Sequence, residues 1–263
     1  MLCCELTMPT LREIVAAENA TAEELPLVHT TRCEILAHIF ATHELRSVTE
    51  CAVFHEHLLY FFYGRPAYQH TLGGEPSGNL DLCPVCFVFK PYTIGSSAKR
   101  VFACDSGGVH NGYFKDHLHP PDRDEMQLET TLDSARKLVA LVFGDNRQYF
   151  LGKAKPVLPT VFTPGSPAAR FHALLTDKGK LAGDDRRSAI EVQMDSPVAL
   201  DHHLLYVVLP NEKLNESATR EVVLHTWQAD PIGYDVYPGR PPHEYRTLIC
   251  DILKRRFEEG GRL

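Results

Sequence analysis

Three segments of this 263-residue chain carry side chains suited to proton transfer and anion binding. The first, Leu27-Val28-His29-Thr30-Thr31, is a short apolar run that ends in an imidazole and two hydroxyls. The second runs from Leu59 to Tyr68 and leaves its aromatic stretch through Gly64-Arg65-Pro66. It offers three phenols, Tyr60, Tyr63 and Tyr68, beside one guanidinium. The third, Asp184 to Gln193, sets a lone acid, Glu191, between Ile190 and Val192, after the pair Arg186-Arg187. Singly, each has an ordinary structural role: a core or capping histidine, packing aromatics with a polar tip, an acid on the outer face of an edge strand. Their joint order along the chain points to a site.

Caps and periodicity define the elements that must position these groups. Pro9-Thr10-Leu11 opens a short helix, and Thr31-x-x-Glu34 has the form of a capping box ahead of the apolar stripe Ile35, Leu36, Ile39, Phe40. Leu132–Phe143 reads as a helix closed by Gly144. Ser166-Pro167 starts another that runs to Lys178, and helices are also expected over Ser217–Trp227 and Pro242–Glu259. Strands are expected at Leu58–Tyr63, buried on both faces, and at Val85–Phe89, Arg100–Ala103, Ala189–Gln193, Leu204–Leu209 and Gly233–Tyr237. Helices and strands do not alternate strictly, so a doubly wound parallel sheet fits poorly. The expectation is an α+β fold with a mixed or split central β-sheet flanked by helices. It is read as one domain over residues 1–263 with elaborated loops at about 70–82, 104–128 and 152–188.

Composition narrows the function classes. Hydrophobic residues at 44% and charged residues at 23% are ordinary globular values. A net charge of −7, from 27 basic and 34 acidic residues, argues against coating of duplex nucleic acid, which draws on a basic surplus. No stretch approaches the roughly 18–20 unbroken apolar residues of a membrane helix. The N-terminal residues lack the basic-then-apolar order of a secretory signal, so a cytoplasmic protein with no membrane partner is expected. In that compartment the scattered cysteines do not suggest a disulfide framework. There is no phosphate-binding glycine loop, no dinucleotide fingerprint, no His-Glu-x-x-His and no Gly-x-Ser-x-Gly. Asp105-Ser106-Gly107-Gly108 resembles a nucleophile turn only superficially, and its glycines read as a turn after a strand.

Two features leave room for a metal. Cys83-Pro-Val-Cys86 has zinc-knuckle spacing, with Cys104, His110, His117 and His119 as completions, but no second pair follows. The plainer reading puts Cys86 in a buried strand and Cys83 in the loop before it. A metal-dependent hydrolase or nuclease is the first rival function, built on Asp105, His110, Asp116, His117, His119 and Asp122. The second rival is a non-catalytic interaction protein.

The order of histidine, tyrosine on a strand and late glutamate on a strand resembles the ADP-ribosyltransferase fold with its His-Tyr-Glu triad. The resemblance is most specific to the branch that includes bacterial DNA-modifying ADP-ribosyltransferase toxins. It is carried by His29-Thr30-Thr31, by Gly64-Arg65-Pro66, and by Arg186-Arg187-Ser188-Ala189-Ile190-Glu191 leading on to Val207-Val208-Leu209-Pro210, within residues 25–215. It implies NAD as substrate, with no metal, and release of nicotinamide through an oxocarbenium-like cation. Glu191 would stabilise that cation and orient or deprotonate the acceptor. Tyr60 or Tyr63, with Tyr68 a third choice, would stack on the nicotinamide. His29, followed by Thr30 and Thr31, would hydrogen-bond a ribose hydroxyl of NAD and hold the adenosine half. Arg65, or second Arg187, would engage the pyrophosphate. The class implied is an ADP-ribosyltransferase or NAD glycohydrolase, a glycosyltransferase chemistry, in a toxin or defence setting. The acceptor stays open among DNA base, RNA end, protein side chain and water. Arginine-modifying transferases carry Glu or Gln two positions before the catalytic Glu. Ala189 stands there in this chain, so arginine is not the expected acceptor.

Overall fold

The structure, a computed structural model, describes residues 8–20, 23–67, 78–179 and 185–263. Tyr68 and Asp184 lie outside the described residues. The architecture is α+β, centred on a mixed seven-stranded sheet. Its strands are β1 (Leu27–Arg32), β2 (Leu59–Tyr63), β3 (Pro84–Phe89), β4 (Arg100–Phe102), β5 (Glu191–Met194), β6 (Leu204–Pro210) and β7 (Asp230–Tyr234). They lie side by side in the order β7-β6-β3-β1-β2-β5-β4, with β6 and β7 parallel and the other pairs antiparallel.

The ladder is uneven. β1 pairs with β3 over six positions, from Leu27↔Phe89 to Arg32↔Pro84, but with β2 over only two, Leu27↔Tyr63 and Val28↔Phe62. Past Val28 the sheet is split between β1 and β2. β2 then pairs with β5 from Leu59↔Met194 to Phe62↔Glu191, and β5 pairs with β4 through Arg100↔Gln193 and Phe102↔Glu191.

Helices cover the sheet where it is apolar. All six residues of β3 are buried, as expected of a central strand with both faces covered. One cover is α6 (Tyr245–Glu259), which packs on β3 with Tyr245, Ile249, Leu253 and Phe257 inward. α1 (Leu11–Ala16) is opened by Thr10 with a capping box to Glu13. α4 (Leu132–Leu138) continues as a π turn to Gly144, where φ is 95°. α5 (Pro167–Thr176) begins at the expected Ser166 cap, whose side chain accepts from Ala169 N–H, and ends two residues earlier than the sequence suggests.

Three local expectations are corrected. The Thr31 capping box does not form. Pairing of Arg32 with Pro84 keeps Thr31 in β1, and α2 (Leu36–Thr42) starts later, behind a 3-10 turn without a side-chain cap. β2 is not buried on both faces: Leu59, Phe61 and Tyr63 are buried, whereas Tyr60 and Phe62 are partly exposed. The last strand is Asp230–Tyr234 rather than Gly233–Tyr237, because the edge pairs with Tyr206–Pro210 of β6.

Candidate active site in the cleft at the sheet split

A cleft of about 440 Å³ opens where β1 and β2 part. His29, Tyr60, Phe62 and Glu191 line it from β1, β2 and β5, three neighbouring strands. Val53 and Phe54, from the hairpin ahead of β2, form one wall. Thr30, Leu58, Leu59 and Ala67 add to the lining near the strands, and Asp105, Ser106, Gly107, Asn111, Tyr113 and Arg186 line the rest.

The His29 ring fills the gap left by the broken ladder. Its Nδ1 lies 2.8 Å from the Tyr60 carbonyl. A carbonyl can only accept, so Nδ1 carries the proton and Nε2 is left as an acceptor. Burial lowers the histidine pKa, outweighing that hydrogen bond, and favours the neutral ring. The ring also packs against Phe61 at a centroid distance of 5.4 Å.

Glu191 is 1% exposed and held on both oxygens. The Ser106 hydroxyl donates to Oε1 at 2.7 Å, Gln193 Nε2 donates to the same oxygen at 2.6 Å, and Ser106 N–H donates to Oε2 at 3.3 Å. Burial first, and the nearby Asp105 charge second, push its pKa up to about 8 against these hydrogen bonds. Tyr60 is half-buried, and desolvation first, with the neighbouring Cys51 second, raises its pKa.

Asp105 does two jobs beside Glu191. It caps the short helix α3 (Ser106–His110) by accepting from Gly107 N–H at 3.1 Å, and it pairs with Arg186 at 2.7 Å. The Arg186 guanidinium stands 5.9 Å from the centroid of the Tyr113 ring. The cleft thus holds a buried acid, a neutral imidazole, aromatic faces and one ion pair. Such a set can orient a polar ligand, stack a planar ring and stabilise a developing positive charge.

The approach to Glu191 is fixed from outside the cleft. Tyr149 OH donates to the Tyr63 carbonyl at 2.7 Å and accepts from Ile190 N–H at 3.0 Å, clamping the end of β2 to the residue before Glu191. Arg65 anchors the same junction. It donates to Asp185 at 2.9 Å, to the Ser188 hydroxyl at 3.0 Å and to the Tyr149 carbonyl at 3.4 Å. The chain reaches Arg65 through Gly64, at φ 66°, where a Cβ would lie 2.4 Å from Leu25 Cδ1, so only glycine fits.

Several sequence assignments are therefore revised. His29, Thr30, Tyr60 and Glu191 meet at one cleft. Glu191 is buried rather than on an outer strand face. Tyr63 points elsewhere: it is fully buried, and its hydroxyl accepts from Leu25 N–H at 2.9 Å. Thr31 is outside the lining, held in the β1–β3 ladder. Arg65 is a buried structural anchor, not a cleft residue, because Asp185 and Ser188 absorb its donors. Arg187 also lies outside the lining and donates to the Leu174 carbonyl at 3.4 Å. Its neighbour Arg186 is the guanidinium in the cleft. Tyr68 falls outside the described residues.

The metal alternatives do not assemble. Among the described residues no group of three or more His, Cys, Asp or Glu could hold a metal ion. Asp105 is spent on Arg186 and His117 on Asp177 at 2.8 Å, while Asp122 caps His119 N–H and pairs with Arg170. Cys83 and Cys86 are separately buried before and within β3, so the Cys83, Cys86, His117, His119 set is not a site here.

Sequence reasoning missed Ser106, Gln193, Arg186 and Tyr149. Asp105-Ser106-Gly107-Gly108 was a visible signal, yet nothing local indicates that its serine reaches a carboxylate 85 residues away. Among the described residues no helix is long and apolar enough to cross a membrane. No protein-family model matches the chain, and no curated protein matches it in sequence.

Proposed function

We propose that the cleft binds NAD and transfers its ADP-ribosyl group, with release of nicotinamide. The observation that carries this reading is the convergence of His29, Tyr60 and Glu191, from three neighbouring strands, on one cavity. The cavity lies within the roughly 300–1,000 Å³ range of small-ligand sites. Its donor set suits the nicotinamide and ribose portions of NAD: a neutral imidazole with a free acceptor, aromatic faces at Tyr60 and Phe62, and an acid at the base. The phosphate contact is assigned to Arg186, the guanidinium that lines the cleft and pairs there with Asp105.

Bound there, NAD would supply a glycosidic bond whose cleavage passes through an oxocarbenium-like cation. His29 Nε2 accepts from a ribose hydroxyl. Tyr60 offers its ring to the planar nicotinamide. Glu191, ionised, faces the developing positive charge and takes the acceptor's proton. The nicotinamide leaves with the electron pair of the broken C–N bond, and the acceptor's nucleophilic atom takes its place on the ribose carbon. Because burial and Asp105 keep Glu191 protonated near neutrality, a cationic substrate ring beside it favours the charged form.

The test is direct. Purified protein incubated with NAD is expected to release nicotinamide, and NAD is expected to raise the melting temperature. Absence of both overturns the reading.

A further inference from the structure

We infer that Arg100, outside the cleft, fixes the orientation of the Gln193 amide and through it the Glu191 carboxyl, which makes Arg100 a positioning residue for the proposed reaction. This inference rests on the role given to Glu191 above.

The register places the three side chains in sequence. Arg100 of β4 stands opposite Gln193 of β5, and Glu191 lies two residues along β5, on the same face. Gln193 is fully buried. Its Nε2 donates to Glu191 Oε1 at 2.6 Å and to the Ser106 hydroxyl at 3.2 Å, and its Oε1 accepts from Arg100 Nη1 at 3.2 Å.

A guanidinium has donors and no acceptor. It therefore compels the amide oxygen to face it and leaves the amide NH₂ for Glu191. Flipping the amide would set its NH₂ against the guanidinium and, with Glu191 ionised as the reaction needs, its oxygen against the carboxylate, two like-polarity contacts at a fully buried amide. Arg100 is itself fixed. Glu56 binds it in a fork at 2.7 and 3.2 Å, and its guanidinium stacks 4.6 Å from the centroid of Phe54, a wall of the cleft. Lys99 adds a second ion pair to Glu56 at 2.7 Å. The chain Glu56–Arg100–Gln193–Glu191 thus runs from the sheet edge to the acid at the base of the cleft.

The experiment compares full-length wild type with Arg100→Ala, Arg100→Lys and Glu56→Gln. Two readouts are taken: steady-state release of nicotinamide from NAD, and the ¹⁵N side-chain amide signals of Gln193, assigned by their loss in Gln193→Glu. In Arg100→Ala, kcat is expected to fall by about 10- to 100-fold, the scale of one lost hydrogen bond to a charged group, with KM little changed. The Gln193 amide protons are expected to lose their protection from exchange. Lysine, also a donor without an acceptor, is expected to restore most of both. Unchanged Gln193 signals in Arg100→Ala overturn the inference. So does a loss carried wholly by KM, which would assign Arg100 to the Phe54 wall alone. If Arg100→Ala does not fold, Glu56→Gln carries the same decision, since it frees the guanidinium and is expected to weaken Gln193 protection. A wild type that releases no nicotinamide overturns the proposed function, while the amide signals still decide the role of Arg100.

Discussion

The two halves of the sheet on either side of the split are built on different terms. On one side, β1, β3 and β6 form a ladder, with one register shift between Leu204 and Tyr206, in which Val85, Phe87, Phe89, Val207 and Leu209 are fully buried and apolar. On the other, β2, β5 and β4 bury a carboxyl, Glu191, and an amide, Gln193, as deeply as any core leucine. The first half gains free energy from every side chain it hides. The second hides groups whose transfer from water is unfavourable unless each is hydrogen-bonded. It meets that requirement with Ser106, Gln193 and Arg100, and still leaves an acid whose charge is suppressed. The difference teaches that the apolar half carries the fold, whereas the polar half spends stability on a poised group, a pattern that perturbed acids in clefts share with catalytic sites.

The contrast can be broken most forcefully in the apolar half. Phe87→Ala removes a fully buried ring that packs 6.1 Å from Trp227 and is expected to cost about 3–5 kcal/mol. Chemical denaturation measures it, and a loss below about 1 kcal/mol would deny that this ladder carries the fold.

The polar half is expected to show its cost as a pH dependence. The Glu191 pKa is raised on folding, so the native state holds more protons than the unfolded state between the ordinary glutamate value and about 8. Stability attributable to this residue is therefore full below that window, falls as pH rises through it and is constant above. Glu191→Gln removes the titration. Its stability relative to wild type is expected to grow by a few kcal/mol, on the order set by linkage, between pH 5 and pH 8. Parallel melting curves of the two proteins would contradict the burial argument.

Arg65 and Tyr63 sharpen the comparison, since both stand beside the site without entering it. Arg65→Ala is expected to cost about 2–3 kcal/mol, the loss of charged hydrogen bonds, partly relieved because Arg246 also pairs with Asp185. NAD affinity is expected to survive wherever the protein is folded, and a selective rise in KM would return Arg65 to the pyrophosphate role. The smallest effect belongs to Tyr63→Phe. It deletes one hydroxyl that accepts from Leu25 N–H and is expected to cost about 1 kcal/mol with turnover unchanged. Tyr60→Ala, by contrast, is expected to impair turnover.

How much of this was legible in the sequence follows the range of the forces involved. Strands marked by continuous apolar runs, and helices marked by Thr10, Ser166 and Gly144, were readable because caps and periodicity are local signals. The order of residues suggested that His29 and Glu191 meet one of three tyrosines, but not that Tyr60 is the one in the cleft. What failed was non-local. Thr31 looked like a cap until pairing with β3 held it extended. Arg65 looked free for a phosphate because Asp185, its partner, lies 120 residues away. Arg186 and Arg187 could not be ranked from their adjacency, since only the 3-10 turn Asp185–Ser188 decides which one enters the cleft. Ser106 lay in a glycine turn whose importance depends on what the turn faces.

The central claim is tested most directly by the rate of nicotinamide release from NAD, measured for wild type and for Glu191→Gln. The account predicts a wild-type kcat/KM for release that rises with pH toward about 8, as Glu191 of the free protein ionises. It predicts a rate lower by about 100-fold or more in the variant, the scale of removing a group that faces transition-state charge, while NAD still raises the variant's melting temperature. Equal rates in the two proteins would contradict it.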